Sequence, residues 1–101
     1  MTEKKFEVGK IYVSKHGCGI GYDECVFNDY YLITRKTEKT IWWKKISKAT
    51  ILYGEPINEK PDFSKFETAE EKRSKINLYK DEENFVDRYK TIYFKYAKEV
   101  K

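Results

Sequence analysis

The sequence predicts a single, mostly β domain. Its 101 residues include 6 Phe, 9 Tyr and 2 Trp, so that aromatic residues make up 17% of the chain. Aromatic and β-branched side chains favour strands, and they supply the apolar area that disordered chains lack. A chain of this length normally forms one domain around one core. We therefore expect one domain over residues 1–101, with an insertion at about residues 56–73.

The first third of the chain contains two candidate strands separated by a loop. A loose alternation over residues 6–13 predicts the first strand, with Phe6, Val8, Ile11 and Val13 facing inward if Gly9 is at a bulge or bend. The glycine-rich stretch 14–24 predicts a long, exposed loop. Residues 25–36 predict one bent strand or two short ones, because Asn28-Asp29 favours a turn or bulge within them.

The middle of the chain predicts a hairpin followed by the insertion. Residues 37–39 are polar and short enough for a hairpin loop, and residues 40–46 favour a strand that pairs across it. Residues 49–53 predict another short strand. Within the insertion, Asp62 or Ser64 is a suitable N-cap for a short helix.

The last segment has two interpretations. Residues 75–79 alternate, residues 80–84 favour a turn and residues 85–96 are rich in strand formers, which together predict a second hairpin. Apolar residues in the same region also recur at spacings of three and four, as they do in an amphipathic helix. We prefer strands because Thr91-Ile92-Tyr93-Phe94 is a poor helical run.

The net charge of +4 is unevenly distributed along the chain. The whole excess lies in the first 53 residues and is densest from Arg35 to Lys48, where six cations and two tryptophans accompany one acid, Glu38. Lysine and arginine neutralise phosphates, and an exposed indole stacks on a base. The pattern therefore predicts a patch that binds nucleic acid, either DNA or RNA, or another partner. Its predicted members are Arg35, Lys36, Lys39, Trp42, Lys44, Lys45 and Lys48.

Alternation along a strand places the two adjacent tryptophans on opposite faces. We expect Ile41 and Trp43 to point inward and Trp42 to point outward, beside Lys44 or Lys45. Two other interpretations of this patch stay open. The outward indole could cover the insertion while the lysines guard a sheet edge, or the aromatic residues could anchor a protein partner.

Three groups of residues contain the residue types of a metal, phosphate-binding or catalytic site but lack the spacing or partners that such a site needs. His16, Cys18, Asp23 and Cys25 do not have the spacing of a zinc knuckle. The glycines that follow His16 lead to an acidic pair, whereas phosphate loops lead into a helix. His16 and Cys18 have no third, orienting group in the sequence. We expect no enzymatic activity, no cofactor, no metal and no disulfide.

The remaining sequence features predict a cytoplasmic protein. The N-terminus has no apolar signal region, and no stretch approaches the roughly 18 apolar residues of a membrane span. Two cysteines are fewer than small secreted domains usually carry. We expect no membrane partner.

Three segments resemble a group of small uncharacterised proteins encoded by phages, plasmids and conjugative elements of Gram-positive bacteria. They are Phe6–Tyr12, with the pattern F-x-V-G-K-x-Y, Asp23–Phe27 and Arg35–Ile41. The resemblance implies a small SH3-like barrel. With the elements above, we expect about five strands and a short helical or irregular insertion before the last hairpin. It also implies an alternative function, in which a mobile-element protein inhibits a host defence nuclease, of CRISPR or restriction type, or its nucleoprotein by protein-protein contacts. The chain departs from this group at Asn28-Asp29, at Trp42-Trp43 and in the insertion.

Overall fold

Two antiparallel sheets make up the structure, a computed structural model that describes residues 5–18, 25–88 and 90–100. The elements of these residues are β1 (Ile11–Cys18), β2 (Cys25–Lys36), β3 (Thr40–Leu52), β4 (Glu55–Pro56), a 3₁₀ helix (Phe63–Glu67), β5 (Lys72–Lys75), β6 (Asn77–Tyr79), β7 (Glu82–Asp87), β8 (Lys90–Tyr93) and β9 (Lys98–Val100). The larger sheet has the order β4-β3-β2-β1-β9, and β5 also pairs with β3. The smaller sheet is β6-β7-β8. The predicted mostly β fold is confirmed, although the described residues form nine strands instead of about five.

The larger sheet curls into a half-barrel. Its two long strands, β2 and β3, have 12 and 13 residues, and their pairing shifts register twice, between Val26 and Phe27 and between Ile33 and Arg35. Such bulges increase the local twist and bend of a strand. The last strand, β9, returns to pair with β1. Within the described residues, no helix is long and apolar enough to cross a membrane.

Phe85 of β7 packs at the centre of the hydrophobic core. Its ring centroid lies 5.2 Å from that of Phe6, 5.6 Å from that of Tyr31 and 5.7 Å from that of Trp43. The rings of Phe6 and Tyr31 meet Phe85 edge to face, a favoured arrangement of aromatic quadrupoles. All four side chains are buried. The smaller sheet therefore covers the half-barrel by inserting this one aromatic ring.

Two buried carboxylates flank Phe85 on the same face of β7, because residues two apart in a strand point the same way. Glu83 Oε1 lies 2.7 Å from Lys36 Nζ, and Asp87 Oδ2 lies 2.7 Å from Lys45 Nζ. The two lysines belong to β2 and β3. Two ion pairs thus hold the smaller sheet to the larger one on either side of the aromatic contact.

The N-terminal segment differs from its prediction. Residues 5–10 are irregular and the first strand begins only at Ile11. Gly9 has φ 85°, a left-handed conformation that glycine adopts without strain, and its N–H donates to the Ile33 carbonyl at 2.8 Å. This turn directs Val8 into solvent, where 55% of the residue is exposed, whereas Phe6 is 1% exposed. The inward prediction is right for Phe6 and wrong for Val8. It is also wrong for Ile11 and Val13, because the core residue of β1 is Tyr12, which lies between them and points to the opposite face.

The predicted loop over residues 14–24 is wrong for its first five residues. β1 continues to Cys18 and pairs with β2 along its whole length. Of the two predictions for residues 25–36, the single strand is found, but its bulges lie at Val26/Phe27 and Ile33/Arg35. Asn28-Asp29 forms neither a turn nor a bulge, because this pair lies inside β2, opposite Lys15 and Ser14. Residues 14–18 of β1 and residues 25–29 of β2 pair with each other, and this long-range pairing overrides the local turn propensity. Residues 19–24 lie outside the described part of the chain.

The central hairpin is confirmed, with residues 37–39 between β2 and β3. The two predicted strands at 40–46 and 49–53 form a single strand, β3, because β2 pairs with it almost throughout. In the insertion, the Asp62 carboxylate accepts a hydrogen bond from the Ser64 N–H at 3.1 Å and caps a 3₁₀ helix. Strands, and not a helix, form the closing segment, as we preferred.

The packing of the N-terminal segment gives a test by substitution. Phe6→Ala leaves a cavity beside Phe85 and should lower the free energy of unfolding by about 3–5 kcal/mol. Val8→Ala, at an exposed position two residues away, should change it by no more than about 0.5 kcal/mol. Urea unfolding followed by tryptophan fluorescence measures both values. Equal effects of the two substitutions would contradict this packing.

Candidate functional site

A β-bulge divides the predicted basic patch between the two faces of the half-barrel. Ile33 of β2 pairs with Trp43, but the next pair joins Arg35 to Trp42, so Thr34 is the extra residue. Without the bulge, Arg35 would lie on the inner face with Ile33. A bulge reverses the alternation of side chains that follow it. It therefore brings Arg35 to the outer face and Lys36 to the inner face.

The outer face carries an aromatic residue between two arginines. Trp42 lies on the central strand β3 and pairs with Arg35 on one side and with Arg73 of β5 on the other. The Arg35 guanidinium carbon is 4.4 Å from the centre of the Trp42 ring, within the range of a cation–π contact. Trp42 is half-buried, whereas Ile41 and Trp43 are buried. The predicted orientation of the three residues is confirmed.

Two lysines extend this surface. Lys75 of β5 pairs with Thr40, two residues before Trp42, and so lies on the same face. The exposed Lys39 lies in the loop before β3, and its carbonyl accepts a hydrogen bond from the Ile76 N–H at 2.8 Å, so this loop lies next to the end of β5. We call the surface formed by Arg35, Lys39, Trp42, Arg73 and Lys75 the outer basic face. Within the described residues, none of its four cations forms an ion pair.

The other predicted cations are bonded to other residues of the protein, three of them in part-buried contacts and Lys48 in an exposed ion pair. Lys36 is hydrogen-bonded to Glu83 and to the Phe6 carbonyl, and Lys45 to Asp87. Lys44 Nζ donates to the Phe66 carbonyl at 3.0 Å, and Lys48 Nζ lies 2.5 Å from Glu59 Oε2. The structure thus brings Arg35, Lys39 and Trp42 together and places Lys36 and Lys45 on the inner face. Lys44 and Lys48 share the outer face with Trp42 but are bonded to Phe66 and Glu59 of the insertion.

A second polar site lies at the open end of the half-barrel, where β7 stops. A cleft of about 380 Å³ is lined by His16, Asp29, Lys45, Asp87, Arg88 and Lys90, and we call it the polar cleft. Asp29 is 1% exposed and lies at its floor. The carboxylate of Asp29 accepts hydrogen bonds from His16 Nδ1 at 2.6 Å, from Ser47 Oγ at 2.6 Å and from Lys90 Nζ at 3.1 Å.

The surroundings of Asp29 keep it ionised. Burial by itself would raise the pKa of this carboxyl, but the hydrogen bonds from Ser47 and Lys90, the charge of Lys90 and the bond from His16 outweigh burial and hold the pKa below its ordinary value of 3.8. Asp87 has a second donor in Tyr31, whose hydroxyl lies 2.8 Å from Oδ2. Burial and this carboxylate raise the pKa of Tyr31, so its hydroxyl stays protonated and donates.

A third surface lies on the smaller sheet and is largely aromatic, with Glu82 and Asn84 also in its lining. Leu78, Tyr79, Tyr93 and Tyr96 line a groove of about 530 Å³, and each side chain is at least two-fifths exposed. We call it the tyrosine groove. Lys95 lies on its rim. Exposed apolar clusters of this kind on small proteins often mark interaction sites.

Sequence reasoning missed Arg73, Lys75 and Asp29. The two β5 residues lie in the second half of the chain, where the charges balance overall, and only strand pairing brings them beside Trp42. Asp29 was assigned to a turn. A signal was present, because Asp29, Tyr31 and Ile33 alternate, and continuing β2 through Asn28-Asp29 would have placed Asp29 on the inner face.

Comparisons with known protein families, with curated proteins and with solved structures find no match. Within the described residues, no three His, Cys, Asp or Glu side chains are grouped so that they could hold a metal ion. The function must therefore be argued from the three surfaces themselves.

Asp29 should make the stability of the protein depend on pH in the acid range. Its folded pKa lies below its unfolded value, so ionised Asp29 contributes stability above that value, and the contribution is lost as pH falls through the folded pKa. Asp29→Asn removes the contribution at every pH. The difference in free energy of unfolding between the native chain and the variant should be largest near neutral pH and shrink toward about pH 2.

Urea unfolding at a series of pH values measures this difference. Asp81→Asn is the matched control, because Asp81 is exposed in a turn. A difference for Asp29→Asn that stays constant from neutral to acid pH would show that the ionised carboxylate contributes nothing.

Proposed function

We propose that the chain is a nucleic-acid-binding module and that the outer basic face makes the contact. The observation that supports this most directly is the Arg35-Trp42-Arg73 row across three adjacent strands. Within the described residues, the cations of this face have no carboxylate partners, whereas most other members of the predicted patch are hydrogen-bonded inside the protein.

Single-stranded nucleic acid fits this surface best. Proteins that bind single strands combine cations that follow the backbone with aromatic rings on which bases stack. Trp42 supplies the ring, and Arg35 already lies against it, so a base can stack on the pair without unfolding any strand. Arg73 and the two lysines lie along neighbouring positions, where they can neutralise successive phosphates. Four cations imply moderate affinity that falls steeply with salt.

The fold and setting belong to the same proposal. A meander of β1, β2 and β3 closed by the last strand on β1 is what an SH3-like barrel requires, and it supports that assignment. The three segments that resemble proteins of phages and mobile elements support a mobile-element origin. A module of this kind acts in the cytoplasm, where nucleic acid is accessible.

The outer basic face should determine both affinity and salt dependence. For single strands, each phosphate contact contributes about 0.7 to the slope of log Kobs against log salt concentration. The double variant Arg35→Ala, Arg73→Ala should therefore lower the magnitude of the slope by about 1.4. Trp42→Ala should weaken binding by about 1–3 kcal/mol while leaving the slope nearly unchanged. Fluorescence anisotropy with labelled DNA and RNA oligonucleotides across a salt series measures both.

A charge-matched control separates this face from the overall charge. Lys60→Ala, Lys98→Ala removes two exposed cations elsewhere and should change the slope by much less. Trp43 is buried and hydrogen-bonded to Ser74, so quenching of tryptophan fluorescence on binding would report Trp42. Equal losses in the two double variants, or no binding at low salt, would overturn the proposal.

A second candidate function, binding and inhibition of a host defence nuclease, is favoured by the tyrosine groove. Tyrosine is enriched among the residues that dominate protein interfaces. Lys80 lies against Tyr79 and Lys95 against Tyr96, at 5.5 and 5.6 Å from the ring centres. These cations favour an acidic surface on the partner. Lys80 and Lys95 would be repelled by the basic groove in which a nuclease holds its substrate, so that groove does not fit this surface.

The two functions are separated by a pulldown from host lysate in which nuclease is added before the wash. A partner held by the tyrosine groove should survive digestion and be lost with Tyr79→Ala, Tyr96→Ala, by at least about tenfold for a hot-spot pair. Tyr53→Ala, at a position 72% exposed and outside the groove, is the control. A partner that is released by nuclease would count against this candidate and support nucleic-acid binding.

A further inference from the structure

The polar cleft holds a histidine in the arrangement of a general base. His16 Nδ1 is 2.6 Å from Asp29 Oδ2, and the imidazole ring stacks on Phe27 with centroids 5.2 Å apart and an angle of 13°. These contacts fix both the position and the plane of the ring. The buried carboxylate acts as the third, orienting group that the sequence did not reveal.

The hydrogen bonds also determine which ring nitrogen is available. An ionised carboxylate can only accept, so Nδ1 of His16 carries a hydrogen and donates it to Asp29. In the neutral imidazole the lone pair is then on Nε2. Within the described residues Nε2 forms no hydrogen bond, and 40% of the His16 side chain is exposed. His16 therefore presents a proton acceptor that solvent or a ligand can reach.

The rest of the polar cleft suits a phosphodiester. Three cations, Lys45, Arg88 and Lys90, line it against two carboxylates. Lys45 and Lys90 neutralise the carboxylates Asp87 and Asp29, and Arg88 has no ion pair with any described residue. Arg88 has φ 55°, a left-handed conformation that few residues other than glycine adopt, at the turn after β7. Its guanidinium is thus the unneutralised positive charge of a cleft whose volume falls in the range of ligand sites.

We propose that the polar cleft cleaves RNA by transesterification, with His16 as the catalytic base. RNA carries its own nucleophile, the 2′-hydroxyl, so the protein needs to supply only a base and positive charge for the phosphate. Nε2 takes the 2′-hydroxyl proton as the O2′–P bond forms and the P–O5′ bond breaks. The 5′-oxygen takes a proton from water, and the imidazolium returns its proton to the resulting hydroxide.

The products are a 2′,3′-cyclic phosphate and a 5′-hydroxyl, and no oxidant, reductant or further reactant is consumed. Asp29 is a positioning residue in this scheme, and Arg88 binds the phosphate. The proposal rests on the polar cleft alone and does not require the outer basic face, which lies on the other face of the β2–β3 pair.

The experiment is cleavage of an end-labelled RNA oligonucleotide by the purified full chain, with the ends identified by mass spectrometry. We expect cyclic-phosphate ends and no cleavage at a position where one 2′-hydroxyl is replaced by hydrogen. His16→Ala, purified in the same way, should lose about 10²–10⁴ in kcat. Arg88→Ala should raise KM with a smaller change in kcat, by about tenfold for a lost charged hydrogen bond.

The test of Asp29 separates positioning from folding. Asp29→Asn should lower kcat and also move the pH dependence of kcat, because the amide no longer fixes the Nδ1–H tautomer. Circular dichroism checks that each variant is folded, and His16→Ala changes a half-exposed side chain and does not depend on Asp29 being replaceable. Cleavage that is equal in His16→Ala, or independent of the 2′-hydroxyl, would overturn the proposal. So would the absence of cleavage by the folded native chain. The variant Lys60→Ala, Lys98→Ala, whose exposed cations lie outside both the polar cleft and the outer basic face, should retain the native kcat. Cleavage and oligonucleotide binding are separate readouts, so failure of either proposal leaves the other measurable.

Discussion

Two ion pairs between the sheets determine how the smaller sheet packs and which lysines are engaged inside the protein. Glu83 and Asp87 enter the interior on either side of Phe85, and each would be costly to bury without a cation beside it. Lys36 and Lys45 provide those cations from the half-barrel. The two ion pairs therefore fix the position in which the smaller sheet packs. Lys36 and Lys45, two members of the predicted nucleic-acid patch, lie at the edge of the core.

Most of the fold could be predicted from the sequence, but the division of the basic residues between the two faces of the sheet could not. The alternation of Ile41, Trp42 and Trp43 was predicted correctly because β3 is regular there. Arg35 and Lys36 could not be assigned to faces, since their orientation depends on the bulge at Thr34. That bulge is a property of the β2–β3 pairing, and no local pattern in Thr34-Arg35-Lys36 predicts it.

The position of Asp29 in the polar cleft also could not be predicted from local sequence. Asn28-Asp29 has the composition of a turn or bulge, and local propensity predicted one or the other. Pairing with β1 and β3 keeps it in a strand, and strand alternation then carries Asp29 to the inner face beside His16. A catalytic arrangement was dismissed for want of an orienting group, and the residue that provides it was hidden by a wrong assignment of secondary structure.

Charge neutralisation explains how the two proposed sites can share one pair of strands. Inside the half-barrel every carboxylate of β7 and β2 that points inward is matched by a lysine, so the interior field is nearly balanced. The outer basic face instead collects cations from both halves of the chain, Arg35 and Lys39 from the first and Arg73 and Lys75 from the second. At the open end, the unpaired Arg88 leaves one positive charge beside His16. The outer surface can thus attract a polyanion over distance, while the cleft retains the close balance of charges in which a neutral imidazole can accept a proton.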